Sequence, residues 1–466
     1  MSRSSAIPSS RSALLATWRY SAMGVTLSRV ATAPMVTASR PRSSAMAKPA
    51  ASTASRLISD GRPTPLSVRY ILIRILMTDG SGLTARQTAN RLWSAGHVVE
   101  ALAPDPFCLC RFTRHVQHIH SVPKYGSDPL AWLDAALAIY ESGRFDVLFP
   151  TQEQVAVLAS VPERLRDRGV VTAVPPFSAL AAVQDKVSAF HTLTRLGLPQ
   201  PRGSTRPEAW TAFPAYVKEP IGTASGGVRR VGSPEDLAQV SHAGTTLIQA
   251  GVDGPLAMCQ SVFDHGSLVA FHANLRTGEG ANGGASHKQS TDLPEARTWL
   301  EALGSDLAWH GALSADVILT DAGPSFIDIN PRLVEPENAW QAGVDLVGAM
   351  LDLACGTPSV QPTGRTGVRT HQLLLAVLGA AQRGSGRRGV AAELLGAYRK
   401  SGPYSGSVEE LTPAHRDPIA LAPLAMASAS ALIWPASWSW FASGSVENYA
   451  LTPEGWEQIL AGLART

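Results

Sequence analysis

The chain has 466 residues, 45% of them hydrophobic and 17% charged, enough apolar content for two or three domains with real cores. Its four cysteines exclude a disulfide scaffold and make a reduced, cytoplasmic setting the default. Net charge is +3, yet Met1 to Leu66 hold nine Lys/Arg and one acidic residue, so the remaining body has 31 basic against 36 acidic residues and implies no nucleic-acid-binding face.

Residues 1–66 are rich in Ser, Ala, Arg and Pro, show no sustained period, and read as a disordered basic extension. Arg19 and Arg29 interrupt the longest apolar runs, which argues against a secretory signal. A transit peptide and an extension from an early start codon share this composition. Residues 67–176 read as a small α/β domain. Tyr70-Ile-Leu-Ile-Arg-Ile-Leu-Met77, apolar but for Arg74, reads as a buried strand of the parallel-sheet type. The spacing predicts a helix over Leu83 to Ala95, closed by Gly96, then a strand over Val98 to Ala103. A helix over Leu130 to Ser142, a strand at Phe145 to Pro150, a helix over Val155 to Arg168 and a strand over Val170 to Val174 complete a doubly wound pattern. The Gly80/Gly82 turn is too short for a dinucleotide fingerprint. Cys108, Cys110, His115, His118 and His120 lie close together in sequence, but their spacing matches no common zinc site, and ordinary packing is expected.

From about Phe177 the pattern changes to α+β. Asp185-Lys186 opens a helix that ends at Gly197. Ala215 to Lys218 is a strand, followed by the loop Glu219-Pro-Ile-Gly-Thr-Ala-Ser-Gly-Gly227 and a second strand over Val228 to Val231. Gly222, Gly226 and Gly227 allow backbone N–H groups to approach a polyphosphate, Thr223 and Ser225 add hydroxyl donors, and Lys218 at the base would neutralise phosphate charge. No helix follows the loop and no Walker-type Gly-Lys pair exists, so this is not a P-loop.

Further on, Ala312 to Arg332 reads as a hairpin with a turn at Asp321-Ala322-Gly323-Pro324. Asp328 and Asn330 are two apart and share a strand face, and folding about Ala322 sets Asp316 roughly opposite Asp328. Two carboxylates and an amide oxygen on one face suit Mg²⁺, a hard cation with oxygen ligands. Phe271 to Arg276 alternates, putting His272, Asn274 and Arg276 on one face ahead of Gly283 to Lys288. Arg276 has the fork that grips a carboxylate or phosphate. Glu335 lies just past Arg332, as a candidate amine-binding acid or a helix-start acid. Val344 to Ala354 is helical, and residues 357–466 form a mostly helical C-terminal region. There Pro418 to Val446 carries no charge; its prolines and serines favour buried or interface-forming helices over a membrane span.

Lys186, Lys218 with its Gly-rich flap, and Asp316…Asp328-x-Asn330-Pro-Arg332 together resemble the ATP-grasp ligases in order and spacing, over roughly Val68 to Ala354. The resemblance implies an α/β and α+β multidomain fold. A doubly wound pre-ATP-grasp domain (67–176) would precede a two-lobed ATP-grasp domain (177–356), with a helical extension behind it. It implies ATP held by Lys186 and Lys218 under the flap, a hinge at Leu247 to Ala250 in which Gln249 and Ala250 meet the adenine edge, and Mg²⁺ (or Mn²⁺) on Asp316, Asp328 and Asn330. Arg332 would face the transferred phosphate or the acid, and Arg276 would stand near the acceptor pocket. Asp328 replaces the family's usual Glu, and the acid that often follows the hinge glycine to hold the ribose is not evident, since Gly254 is followed by Pro255 and Leu256 and Asp253 is the fallback. The activity implied is ADP-forming ligation of a small carboxylic acid to an amine through an acyl phosphate. A thiol, bicarbonate or phosphoryl acceptor, or a non-catalytic nucleotide-binding regulator, is the alternative. The implied partners are these small molecules, with no nucleic acid and no membrane, and a homo-oligomer is compatible with them.

Overall fold

The computed structural model describes residues 72–240, 246–411, 415 and 417–464; the basic extension of residues 1–66, and Tyr70 and Ile71 of the first expected strand, lie outside the described residues. Strands β1 (Arg74–Met77), β2 (Val98–Ala103), β3 (Ile119–Ser121) and β4 (Val147–Phe149) form a parallel sheet in the order β3-β2-β1-β4. Ile75, Leu76 and Met77 are wholly buried, as three successive apolar residues require of a strand covered on both faces, while Arg74 at its start stays partly exposed. Helices Leu83–Ser94 and Pro129–Gly143 make the crossovers; the first stops where Gly96 turns to φ +90°.

Two expectations fail here. The helix expected over Val155 to Arg168 is two short helices, Val155–Ala159 and Pro162–Asp167. Pro162 has no N–H to donate and forces Val161 out of the helical region, to φ −130°, ψ 48°. Val170 to Val174 is not a strand. Its Val171 carbonyl accepts from Leu148, but the Val171 N–H goes to the Tyr140 hydroxyl at 3.3 Å, so no ladder can grow.

The small lobe has strands β5 (Gly203–Ser204), β6 (Ala215–Lys218), β7 (Val228–Val231) and β8 (Leu247–Ala250), antiparallel in the order β5-β8-β6-β7. Trp210, Ala215, Val217, Val231, Leu237 and Ile248 form its core. The large sheet runs β13-β12-β9-β10-β11-β14-β15, from β9 (Leu256–Asp264), β10 (Ser267–Glu279), β11 (Ala285–Thr291), β12 (Gly311–Thr320), β13 (Gly323–Asn330), β14 (Arg369–His371) and β15 (Ser407–Glu409).

The two faces of the large sheet differ, and the difference places the site. Ala257, Cys259, Ala273, Leu275, Ala315 and Val317 point to one side, where helix Pro294–Asp306 brings Leu300 and Leu303 against them. On the other side, residues in register across β10, β9 and β12 change character along the strands. Ala270, Val262 and Ala312 are apolar and pack with Met350 and Leu351 of helix Leu346–Ala354. The next rows are His272–Gln260–Ser314 and Asn274–Met258–Asp316. A sheet face that turns polar while staying buried is a surface built to meet something other than a hydrophobic core.

The C-terminal region is mostly helical as expected, with helices Leu373–Gln382, Gly386–Arg399, Leu421–Ile433, Trp438–Val446 and Pro453–Leu463. It also supplies β14 and β15, which its sequence did not announce. The uncharged stretch folds as two helices, and no helix among the described residues is long and apolar enough to cross a membrane.

Candidate active site

The hairpin from β12 to β13 pairs Asp316 with Asp328 and Ser314 with Asn330. Its turn is tighter than the sequence suggested: Gly323, at φ +107°, already pairs with Thr320, so Asp321 and Ala322 alone lie between the strands. Between Asp316 and Val317 the register slips by one, and Ile327 has no cross-strand partner. Such a bulge turns a backbone group out of the ladder. The Ile327 carbonyl accepts a 2.6 Å hydrogen bond from Lys218 Nζ, tying the small lobe to the hairpin at the row that carries the carboxylates.

Asp316 and Asp328 face each other with no salt bridge to either among the described residues. Burial pushes the Asp316 carboxyl up to about 7, and the Asp328 charge across the ladder pushes in the same direction. Asn330 shares their face, two residues beyond Asp328. Lys218 is almost wholly buried; burial holds its ammonium below the usual range, Asp328 opposes that, and Lys186 adds to it.

Lys186 starts helix Lys186–Arg195, whose N-cap Asp185 accepts from the Val187 and Ser188 N–H groups at 2.7 and 3.0 Å. Its Nζ donates 2.8 Å to the Gly222 carbonyl, so the lysine also buttresses the flap. The loop closes on itself through Gly226 N–H to Thr223 O (2.9 Å) and Glu219 N–H to Gly227 O (2.8 Å). A Cβ on Gly222 would lie 2.2 Å from the Gly226 carbonyl, and Gly227 holds φ +71°. Thr223, Ser225, Gly226 and Gly227 therefore sit in a partly exposed flap over the small lobe's sheet edge.

The cleft between the lobes is lined by Lys186, Lys218, Gln249, Phe326, Ile327 and Asp328, among others. The β8 pairing puts Leu247 opposite Lys218 and Gln249 opposite Tyr216. Gln249 Oε1 is buried without a hydrogen-bond partner, while Ala250 uses its N–H on the Arg202 carbonyl at 2.9 Å. The structure thus brings Lys186, Lys218, Gln249 and the metal-type hairpin together, and leaves Ala250 with only its carbonyl to offer.

Arg332 lies just past β13 and donates from Nε to Glu153 Oε1 at 3.0 Å. Burial pulls its guanidinium down, but Glu153 and the neighbouring charges hold it above its usual value. Glu153 also accepts from Gln184 Nε2 at 3.1 Å. The sequence reading missed it. A signal existed: Thr151 to Gln154 is a run of four polar residues one proline beyond β4, and Thr78-Asp79 directly follows β1. The carboxyl ends of parallel strands are where α/β sheets hold ligands. Asp79 is buried, and burial pushes its carboxyl up to about 6 against the Gly82 and Ser81 N–H groups that it accepts from. Tyr449, from the C-terminal region, also reaches this corner. A Cβ on Gly82 would come within 3.2 Å of its ring, and the Asn448 amide donates to Ser81 Oγ at 3.3 Å.

Arg276 is placed otherwise than the sequence implied. Its Nη1 donates 2.6 Å to the Gly283 carbonyl and its Nη2 lies 3.7 Å from Glu279, so it braces the β10–β11 turn and presents no open fork. Its register partner Lys288 takes the more central place, donating to Glu335 at 2.5 Å and Glu410 at 2.7 Å. Gln87 and Thr370 also donate to Glu410, at 2.9 and 2.6 Å. Burial pulls Lys288 down, but the two carboxylates hold it above its usual value.

On the polar face, both amide atoms of Asn274 and Gln260 Oε1 are buried without hydrogen-bond partners. Buried polar groups are rarely left so, and their concentration in the rows of Asp316 and Ser314 marks a face that a ligand would complete. Two facing carboxylates and an amide oxygen form an all-oxygen donor set that fits a hard divalent cation.

Residues 183–336 match the family model described as ATP-grasp domain. No curated protein sequence matches the chain. Among solved structures, the fold is similar to the biotin carboxylase domain of Hydrogenobacter thermophilus 2-oxoglutarate carboxylase in complex with MgADP, ADP and bicarbonate. That likeness has 15% identity and a TM-score of 0.51, over 64% of this chain and 74% of that one. It is also similar to an ADP complex of N5-carboxyaminoimidazole ribonucleotide synthetase, with 15% identity and a TM-score of 0.52, over 69% of this chain and 87% of that one. At such identity these likenesses speak for the fold alone, and residues 183–336, which carry Lys186, the flap, the hinge and the carboxylate hairpin, match an ATP-grasp domain.

Proposed function

We propose that this chain is an ATP-dependent, ADP-forming ligase that joins a small carboxylic acid to an amine through an acyl phosphate. The observation that carries the reading is the Asp316–Asp328 pair, two facing carboxylates set beside buried Lys218 in the cleft between the lobes. Two such charges without a cation repel each other, and a divalent ion shared with ATP phosphates would relieve them.

In this reading ATP lies in the cleft with its base against Gln249. Mg²⁺, or Mn²⁺, on Asp316, Asp328 and Asn330 would supply charge neutralisation at the phosphates. Lys218 is already held by Ile327, so it meets a phosphate oxygen with little reorganisation. Lys186 couples phosphate binding to the flap through Gly222. Arg332, kept ionised and oriented by Glu153, would face the acid whose oxygen takes the γ-phosphoryl group. The carboxylate oxygen attacks phosphorus, ADP departs, and the amine then displaces phosphate from the acyl carbon. The flap excludes the water that would hydrolyse the acyl phosphate first.

A second reading keeps the nucleotide site and takes bicarbonate as the acid, which the similar biotin carboxylase domain binds together with MgADP. One experiment separates the two. ADP release is measured with pools of carboxylic acids, with and without bicarbonate, and with hydroxylamine as a trap. Hydroxamate formed from an organic acid supports the ligase, ADP release that needs only bicarbonate supports the second reading, and no ADP release with any pool sinks both.

A further inference from the structure

The β9–β10 turn holds a group of side chains unconnected with the nucleotide cleft. Asp264 ends β9, His265 and Gly266 make a two-residue turn with φ +45° and +91°, and His310 directly precedes β12. The Gly266 N–H donates 2.7 Å to the Trp309 carbonyl, and wholly buried Trp309 donates from Nε1 to the Ala312 carbonyl at 3.1 Å. These bonds fix the turn against the start of β12. Asp264 Oδ1 lies 2.8 Å from His265 Nδ1 and 3.4 Å from His310 Nδ1, and the two rings are 4.2 Å apart. One ligand atom from each of the three residues falls within 4.8 Å of the others. His310 Nδ1 is buried and completes no hydrogen bond of normal geometry.

We propose that Asp264, His265 and His310 form a binding site for a borderline divalent cation of the Zn²⁺ type. Ligand bonds of about 2.0–2.1 Å in a tetrahedron place donor atoms about 3.4 Å apart, the Asp264–His310 separation already present. Two imidazoles and one carboxylate suit Zn²⁺ and disfavour Mg²⁺, which wants oxygen ligands in an octahedron. The fourth position faces solvent past His265, whose side chain is 75% exposed. Asp264 is six residues along β9 from Met258, the register partner of Asp316, so the two sites stand about 20 Å apart on one strand. The bound ion would pin the β9–β10 turn to the end of β12 opposite the carboxylate hairpin.

The test is Zn²⁺ titration of the metal-stripped full chain by calorimetry, with the visible spectrum of the Co²⁺ form and the thermal midpoint as further readouts. Wild type is expected to bind one equivalent in the micromolar range or tighter, unaffected by excess Mg²⁺, with a midpoint raised by several degrees and a tetrahedral Co²⁺ spectrum. His265→Ala, in an exposed turn where folding is not at risk, and His310→Ala should each weaken that equivalent at least tenfold and abolish the shift in midpoint. A double variant that keeps the wild-type Zn²⁺ stoichiometry, affinity and Co²⁺ spectrum overturns the assignment. So does a wild-type chain that binds no Zn²⁺ below millimolar concentration.

Discussion

Glu153 shows how much one side chain can carry here. Together with Arg332 it forms a buried pair at 3.0 Å between the parallel-sheet region and the carboxylate hairpin. Glu153→Gln would leave a buried guanidinium without its counter-charge, at a cost of about 3–5 kcal/mol. Chemical denaturation should show that loss, and ADP release should fall with it, because Arg332 would lose its orientation. His272 offers a pH test at the same scale. It is buried, its Nε2 bonded to Asn338 Oδ1 at 2.8 Å, and burial holds it down to about 4. The unfolded chain takes up this proton from about pH 6.5, while the folded chain resists until about 4. The contribution is therefore complete above pH 6.5 and is lost as pH falls towards 4, by about 3 kcal/mol at most. Denaturant midpoints measured from pH 7 to 4 should fall less steeply for His272→Gln than for wild type; equal slopes would remove His272 from the account.

Among the elements, the flap makes the sharpest demand on its sequence. A side chain on Gly222 would collide with the Gly226 carbonyl at 2.2 Å, and Gly222 also carries the carbonyl that Lys186 holds. Gly222→Ala should lower ligation at least tenfold and raise the fraction of ATP hydrolysed without product, because water would reach the acyl phosphate. Its thermal midpoint should stay near that of wild type, since the loop is largely outside the cores. Ligation and ADP release measured side by side would show the uncoupling. Much of this was legible beforehand. Strand alternation gave the Asp316–Asp328 pairing, and glycines after Lys218 gave the flap, because local spacing dictates both. The bulge at Ile327 was not legible, since it is set by the fit between two strands and a lysine from another lobe. Pro162 marks the break in the sequence, but the apolar period continues through it and masks the signal.

At the scale of the whole molecule, the C-terminal region is part of the scaffold. It extends the large sheet with β14 and β15 and lends Glu410, Gln372 and Tyr449 to the interior behind the cleft. Glu410 is wholly buried and receives Lys288, Gln87, Gln372 and Thr370, from three segments far apart in sequence. Such a junction cannot be seen from residue spacing, since each partner alone looks like an ordinary surface residue. Glu410→Ala should destabilise the chain by about 3–5 kcal/mol by leaving Lys288 short of a counter-charge, as read from urea denaturation. A loss below about 1 kcal/mol would mean that Glu335 alone balances Lys288.

In the proposed reading, the Asp316–Asp328 hairpin and Lys218 together hold a metal–nucleotide complex. Calorimetric titration of a non-hydrolysable ATP analogue, with and without Mg²⁺, tests it most directly in wild type and Asp328→Ala. Wild type should bind the analogue at least tenfold more tightly with Mg²⁺ than without, and Asp328→Ala should lose that Mg²⁺ dependence while staying folded. Equal Mg²⁺-dependent affinity in both proteins would contradict the account.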